Sequence, residues 1–359
     1  MIHRRKPKLP NARAIVYFYS TTSGILSHIS PTARWILAGI LKKTLDIFFL
    51  LRIPLLVPVW TILILGWITG SPQASIGNLW FSLGSPSLWK ALAGFSLIVS
   101  SIYVVNQIAD IESDRINHKL FLLPHGLVSV PAAWVLAIVC AISGLILGYT
   151  LSNWMFLLFI AGLLLGYLYN LPPVSLKNRA FGGVLANALG HGMITFLVGW
   201  VAAKGSFEFS FAAASIGLIS SLSPSLANGA VFLATTIPDA PGDSKTGKRT
   251  FCVAFGPKTT ALTASLLCLF SLGSSFFMEN HFWVMTIPAA ISMIFFANFA
   301  FTARIDSAFN SFKWPVFLLS AFVALFVPIY GLLILITFVG SRFYYKWRFG
   351  IEYPSFSAK

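Results

Sequence analysis

The 359-residue chain holds only ten acidic residues, and five of them fall in two short stretches. These are Asn106-Gln-Ile-Ala-Asp110-Ile-Glu112-Ser-Asp114 and Asp239-Ala-Pro-Gly-Asp243. Each stretch carries an Asp-x-x-x-Asp pair where an apolar run ends. Carboxylates at the edge of lipid are costly unless something compensates them, and a divalent cation carrying a phosphorylated substrate suits such a set. On a helix, Asn106, Asp110 and Asp114 share one face over about 12 Å. Oxygens on that face can hold Mg2+, whose octahedral shell is usually completed by substrate phosphate. Glu112 points elsewhere and pairs with Arg115. For one patch alone, a helix end turning polar as it leaves the membrane would look the same.

The second stretch continues as Asp243-Ser-Lys245-Thr-Gly-Lys248-Arg249-Thr250. Pro238, Pro241 and Gly242 argue against a regular helix through both acids, so Asp239 and Asp243 are expected to converge from a bent helix end. Two carboxylates followed by three cations is what a metal-bound diphosphate requires, acids for the metal and Lys or Arg for phosphate oxygens. The Gly247-Lys248 pair lacks the spacing of a P-loop. Between the patches lies Tyr167-Leu-Tyr169-Asn-Leu-Pro172-Pro173-Val-Ser-Leu-Lys177-Asn-Arg179. Its Pro-Pro makes a rigid helix exit, and its two cations either fix topology or meet a diphosphate.

The scaffold that positions these groups is a membrane one. Hydrophobic residues make up 57% of the chain and charged residues 10%, with mean hydropathy +0.81. Soluble domains carry about 25% charged residues. Runs of about 20 apolar residues place candidate spans near 47–69, 88–109, 127–149, 153–171, 182–203, 211–236, 258–278, 281–303 and 314–340. The fold class is therefore all-α, a polytopic membrane helix bundle of about nine transmembrane helices around a central cavity. Segments 14–29 and 34–41 read as interfacial helices. The domain plan is a basic tail over 1–45, a membrane domain over 46–340 and a C-terminal tail over 341–359. The start imitates a signal peptide but lacks a cleavage site, and it reads as retained.

A net charge of +15 raises the question of nucleic acid. The basic residues punctuate apolar spans and enrich the N-terminal tail, with no basic stripe and interleaved aromatics; that excludes nucleic-acid binding and suits anionic lipid. Cys140, Cys252 and Cys268 form no CxxC and no even framework, and the histidines show no metal-ligand spacing. With the N-terminus cytoplasmic, ten basic residues fall in cytoplasmic loops against Lys90 and Lys204 opposite, and both acidic patches lie on the cytoplasmic side. An odd span count leaves Arg342, Lys346 and Arg348 on the wrong side. The offset between patches is 129 residues for both pairs, Asp110 to Asp239 and Asp114 to Asp243. A weak internal duplication with the two patches facing each other would produce it.

Asn-x-x-x-Asp-x-x-x-Asp after the second span, Tyr-x-x-Pro-Pro-x-x-x-Lys after the fourth and Asp-x-x-x-Asp with its following Gly-x-x-Thr after the sixth together resemble the UbiA superfamily of intramembrane prenyltransferases, over roughly residues 45–340. The resemblance implies a transferase, an enzyme that moves an isoprenoid chain from an allylic prenyl diphosphate to a hydrophobic acceptor inside the bilayer, with Mg2+ as cofactor. It implies that Asn106, Asp110 and Asp114 hold one Mg2+-diphosphate face, that Asp239 and Asp243 hold the other, and that Lys177 with Lys119 or Lys245 neutralises the leaving diphosphate. The chain differs from the family's pattern at Gln107, at Phe121-Leu-Leu-Pro124 and at Ser175. The second motif's form leans towards acceptors of the chlorophyll, homogentisate or geranylgeranylglyceryl-phosphate kind. The setting expected is the cell's inner membrane with the site cytoplasmic.

Asn187, His191 and Asn228 lie within apolar spans, where such residues join helices by hydrogen bonds. Asn187 and His191, four apart, also suit the wall of an acceptor cavity. Two other readings of the chain are an ion-coupled transporter, for which the acids sit at one face rather than the midplane, and a catalytically silent assembly factor with the same fold.

Overall fold

The computed structural model describes residues 31–116, 122–205 and 211–353, and every long element among them is a helix. In chain order these are α1 (Pro31–Leu50), α2 (Ile53–Gly70), the short α3 (Leu79–Leu83), α4 (Pro86–Ala109), the short α5 (Ile111–Ile116), α6 (Val130–Leu151) and α7 (Asn153–Asn170). There follow α8 (Ala180–Lys204), α9 (Phe211–Lys245), α10 (Phe251–Ser275), α11 (Trp283–Thr302), α12 (Ile305–Phe326) and α13 (Pro328–Phe349). Ten of them, α2, α4 and α6–α13, are long and apolar enough to cross a membrane. The chain is an integral membrane helix bundle. Its outward faces carry large apolar side chains such as Phe301, Phe277 and Ile294, as a lipid solvent permits.

Two expected spans change, each for a local reason. The first span does not begin at 47, because residues 47–50 complete α1. Arg52 sits in the left-handed region (φ 57°, ψ 46°), and α2 starts with a proline in its first turn. A proline there needs no N–H partner and cannot continue the preceding helix. The ninth expected span, 314–340, is two helices broken at Val327, whose extended backbone precedes Pro328. The tenth helix returns Arg348 to the end of the bundle where α1 meets α2. There its guanidinium grips Asp46 in two hydrogen bonds of 2.9 and 3.1 Å, and Tyr344 donates to the same carboxylate at 2.7 Å. The domain edges expected at 45/46 and 340/341 fall inside α1 and α13. The N-terminal tail and segment 14–29 lie outside the described residues.

The largest core cluster joins α2, α4, α7 and α8 to the ends of α11, α12 and α13, around Leu63, Phe159, Phe196 and Trp200. Helices α2 and α8 cross through reciprocal glycines. A Cβ on Gly66 would overlap the Phe196 carbonyl, and one on Gly199 would overlap the Leu63 carbonyl. In lipid, where apolar burial drives little association, such close backbone approach is a main source of helix attraction. Thr61 of α2 ties in α12 and α13 through Ser320 (2.8 Å) and Tyr330 (2.6 Å). A second cluster packs α9–α12 around Leu233, Phe296 and Phe299. The three cysteines are free and buried. The helical groups around α4 and around α9 each present one acidic helix end to a shared space.

Candidate active site

Helix α4 ends where its first acid stands. Asp110 caps the helix with a backbone outside helical values (φ −103°, ψ 9°), and α5 begins one residue later. The expected single face carrying Asn106, Asp110 and Asp114 is therefore interrupted at its middle residue. The Asp114 amide still bonds to the Asp110 carbonyl at 2.8 Å, but Asp114 is absent from the residues lining the cavity that receives Asp110. Helix α9 departs in the other direction. It runs unbroken through Pro238, Pro241 and both acids to Lys245, where a bent end was expected. Pro238 and Pro241 free the carbonyls of Ala234 and Ile237, yet the helix continues through both. Thr235 and Thr236, a turn earlier, bond to the carbonyls of Phe232 and Leu233.

One mouth cavity gathers Asn106, Asp110, Asp239 and Asp243 with Tyr169, Lys177, Lys248 and Thr250. The two acidic patches thus face each other across it. Lys177 lies on the 3-10 turn Leu176–Asn178, and that loop is tied to the α9–α10 loop by the Arg249 amide on the Asn178 carbonyl, 3.2 Å. The pairing delivers two cations to one carboxylate. Lys177 Nζ donates to Asp110 Oδ2 at 2.7 Å, and Lys248 Nζ donates to Oδ1 at 3.1 Å. Burial pushes the Asp110 carboxyl up, but the charges and hydrogen bonds of Lys177 and Lys248 outweigh it and hold the group below its ordinary value. Burial pulls the Lys177 ammonium down, against the support of Asp110.

Asn106 was expected as an oxygen ligand, and it acts here through its nitrogen. Asn170 fixes its own amide by donating to the Gly166 carbonyl (2.9 Å), so its Oδ1 must accept. Asn106 Nδ2 donates to that oxygen at 2.7 Å and to Asp110 Oδ2 at 3.1 Å. Asn106 therefore positions Asp110. Lys245 is exposed and absent from the lining of the mouth; the cation from its segment is Lys248. Lys119 lies outside the described residues. Gln107 is buried and donates to the Leu50 carbonyl at 2.8 Å, bracing the α1–α2 break.

Asn106 and Tyr169 are also walls of a second, inner cavity of about 180 Å³ among α4, α7 and α8. Asn187 and His191 both line it, as does Arg52 from the α1–α2 break. Sequence reasoning missed Arg52 because it was read as the edge of a span, although an arginine inside an apolar run is itself a signal. Thr235 and Thr236, which line the mouth, were missed because a continuous α9 was not expected. One and two turns of helix connect them to Asp239 and Asp243.

The mouth suits a hard cation shared with phosphate. Its donors are carboxylates and hydroxyls, with no histidine or cysteine on the lining, and Thr250 Oγ1 is buried there without a hydrogen-bond partner. Among the described residues no three Asp, Glu, His or Cys groups cluster closely enough to hold a cation alone. Mg2+ commonly takes one or two carboxylates and fills the rest of its shell with substrate phosphate and water.

Known proteins share this architecture. The structure of a UbiA homologue from Archaeoglobus fulgidus bound to DMAPP and Mg2+ superposes with a TM-score of 0.60 at 18% identity, covering 81% of this chain and 99% of that one. Among curated proteins, a 2-acyl-4-prenylphloroglucinol 6-prenyltransferase of Humulus lupulus is 33% identical over 205 residues, 54% of this chain and 46% of that protein. A homogentisate solanesyltransferase of Arabidopsis thaliana is 28% identical over 246 residues, 64% of each chain. This chain thus spans roughly half to two thirds of the length of those relatives. The model of the UbiA prenyltransferase family matches residues 59–321, most of the chain, and the chain belongs to that family.

Proposed function

We propose that the protein transfers an isoprenoid chain from an allylic prenyl diphosphate to an aromatic acceptor within the membrane, with Mg2+ as cofactor. The observation that carries this is the convergence of Asp110, Asp239 and Asp243 with Lys177 and Lys248 on one mouth that shares walls with an inner cavity lined by both apolar and polar side chains. Related proteins support it: curated relatives are named as prenyltransferases of phloroglucinol and homogentisate acceptors, and solved relatives of this fold are bound to DMAPP or GPP with Mg2+.

In this reading Asp110 lies on one side of the diphosphate and Asp239 and Asp243 on the other, with Asp114 as an outer acid beyond the cavity wall. Bound there, Mg2+ supplies Lewis-acid stabilisation of the charge that gathers on the departing diphosphate. Lys177 and Lys248 exchange their shared carboxylate for phosphate oxygens when the substrate enters, which places two charge-assisted donors on the leaving group. Asn106 keeps Asp110 aimed at the mouth. The helix walls below exclude water from the allylic carbon, whose cationic character would otherwise end in hydrolysis.

The mouth faces the cytoplasm in this reading, since Lys177, Lys248 and, through the tenth helix, Arg348 gather at that end. The membrane is the cell's inner membrane, and the transferring unit, expected over 46–340, extends to Arg348, which grips Asp46 of α1. Purified protein in lipid nanodiscs should consume an allylic diphosphate and release diphosphate only with Mg2+, forming a prenylated aromatic product seen by mass spectrometry. Undiminished turnover in both Asp110→Asn and Asp239→Asn would overturn the reading.

A further inference from the structure

The inner cavity contains one imidazole, and its placement is unusual. His191 lies on a π-helical turn, Ala188–Ile194, set within α8 between two α-helical segments. Such a turn holds one more residue than an α-turn, redirects the side chains it carries, and is found disproportionately at functional sites. Packing fixes it here. A Cβ on Gly192 would overlap the Ser225 Cα of α9, so the widened turn is pressed against a neighbouring backbone. The Thr195 hydroxyl donates to the Gly190 carbonyl at 2.8 Å, serving an oxygen that an α-helix would have used differently. On the opposite side, the His191 ring faces Tyr103 of α4 with centroids 6.1 Å apart and planes within 27°. Among the described residues no hydrogen bond occupies either ring nitrogen of His191.

The surrounding polarity says what the cavity can receive. Arg52, Tyr103, Asn187, His191 and Thr195 stand among Phe95, Val99 and Leu165 on its walls. Three of these groups are already bonded within the protein, Tyr103 to the Leu55 carbonyl (3.2 Å), Asn187 to the Gly183 carbonyl (2.9 Å) and Thr195 to the Gly190 carbonyl; a hydrocarbon tail lying there would leave the Arg52 guanidinium and the His191 imidazole unmatched, at a cost for each. A small aromatic ring bearing hydroxyl or carbonyl groups would match them, its face on the Tyr103 ring, its edge towards the His191 nitrogens and an oxygen towards Arg52. No carboxylate lines this cavity, so the group there that can take up a proton is the imidazole.

We infer that the inner cavity takes a phenolic acceptor and that His191 is the base that receives its proton; this rests on the prenyl-transfer reading of the mouth. The bond between the allylic carbon and the diphosphate oxygen breaks, with its electron pair leaving on the diphosphate. A ring carbon beside the phenolic hydroxyl supplies the pair that forms the new C–C bond. The hydrogen on that carbon passes as a proton to the free imidazole nitrogen, restoring aromaticity, and then leaves to water through the mouth. The other titratable or charged groups facing the cavity are Arg52 at the α1–α2 break, Tyr103 on α4 and Tyr169 on α7.

The test compares wild type, His191→Gln and His191→Ala in nanodiscs with Mg2+, GPP and phloroglucinol. Two reactions are followed: formation of the prenylated phenol, and ionisation of the donor measured without acceptor as 18O exchange between the bridging and non-bridging positions of GPP. Positioned acid–base catalysis contributes about 10²- to 10⁴-fold, so both variants should lose about 100-fold or more in transfer while donor ionisation stays within about twofold. The wild-type rate should rise with pH through an imidazole inflection that is missing in His191→Gln. Transfer at the wild-type rate in both variants overturns the inference, as does parallel loss of ionisation, which would mark His191 as structural. Wild type that ionises GPP yet prenylates no phloroglucinol overturns the phenolic assignment. Wild type that does neither overturns the prenyl-transfer reading itself.

Discussion

Asp110→Asn should change diphosphate affinity in opposite directions with and without Mg2+. The substitution preserves shape and removes a charge that two ammoniums now share. Lys177 and Lys248 reach it at 2.7 and 3.1 Å, and the three side chains are only 9%, 20% and 15% exposed for Lys177, Lys248 and Asp110. An incoming pyrophosphate without metal must compete with that carboxylate for both cations. A hydrogen bond to a charged group is worth about 1.5–3 kcal/mol net, and the lysines regain part of it on phosphate, so the competition removed is equivalent to about one such bond. At 1.4 kcal/mol per decade, metal-free pyrophosphate should bind Asp110→Asn about 10- to 100-fold more tightly than wild type. In Mg2+ the same change deletes a ligand oxygen of full charge, and affinity should fall at least about tenfold, the lower end of what loss of even an outer metal partner costs. Isothermal titration calorimetry of pyrophosphate against the nanodisc-embedded protein, in EDTA and in Mg2+, reads both numbers. Affinity that drops in both buffers would show that Asp110 merely props the mouth open, and affinity that rises in both would show that it holds no metal.

Lys248→Met should raise the KM for prenyl diphosphate about 10-fold or more, by loss of one charged hydrogen bond, while Lys245→Met, on the exposed neighbour, should change it less than about twofold; steady-state kinetics separates them. Asp46→Ala removes the carboxylate beneath Arg348 and Tyr344, and a buried charge left unpaired costs about 3–5 kcal/mol. Thermal unfolding of the detergent-solubilised protein should report a clear loss, and Arg348→Met with Asp46→Ala together should recover part of it. Gly199→Ala drives a methyl into the Leu63 carbonyl and should cost about 1–3 kcal/mol. Gly340→Ala meets open space, and the gain in helix propensity should leave stability equal or slightly higher.

Much of the bundle was legible because long apolar runs admit few other structures, and because charge avoids lipid. Motifs in register pointed to the mouth: Asp110, Lys177, Asp239 and Asp243 all line it. Local geometry was harder to read. Proline and glycine near Asp239 suggested a bend, yet α9 stays helical through Pro238, Pro241 and both acids. Regular i, i+4 spacing suggested one helical stripe through Asp114, yet the helix breaks at Asp110. The family resemblance pointed to Lys119 or Lys245 beside Lys177, whereas Lys248 is the lysine of its segment that lines the mouth. What decides between Lys245 and Lys248 is which lysine faces back across the mouth, and that depends on the turn joining α9 to α10.

The irregularities of the backbone coincide with the two cavities. Arg52 takes a left-handed conformation at the α1–α2 break and reaches the inner cavity. Asp110 interrupts α4 and thereby faces two lysines from other loops. The π-turn of α8 turns His191 towards Tyr103, and Pro238 and Pro241 flank the acids of α9. Each departure carries a local cost, of order 1–3 kcal/mol for a residue held in a sparsely populated conformation. A fold under selection for stability alone would remove them, and where they persist the surrounding packing holds them in place. Elsewhere in the bundle, α6 and α7 run regularly, and among the described residues they line the mouth only through Tyr169 at the end of α7. Sequence patterning finds helices by their regularity, so it describes best the parts of this protein furthest from its chemistry.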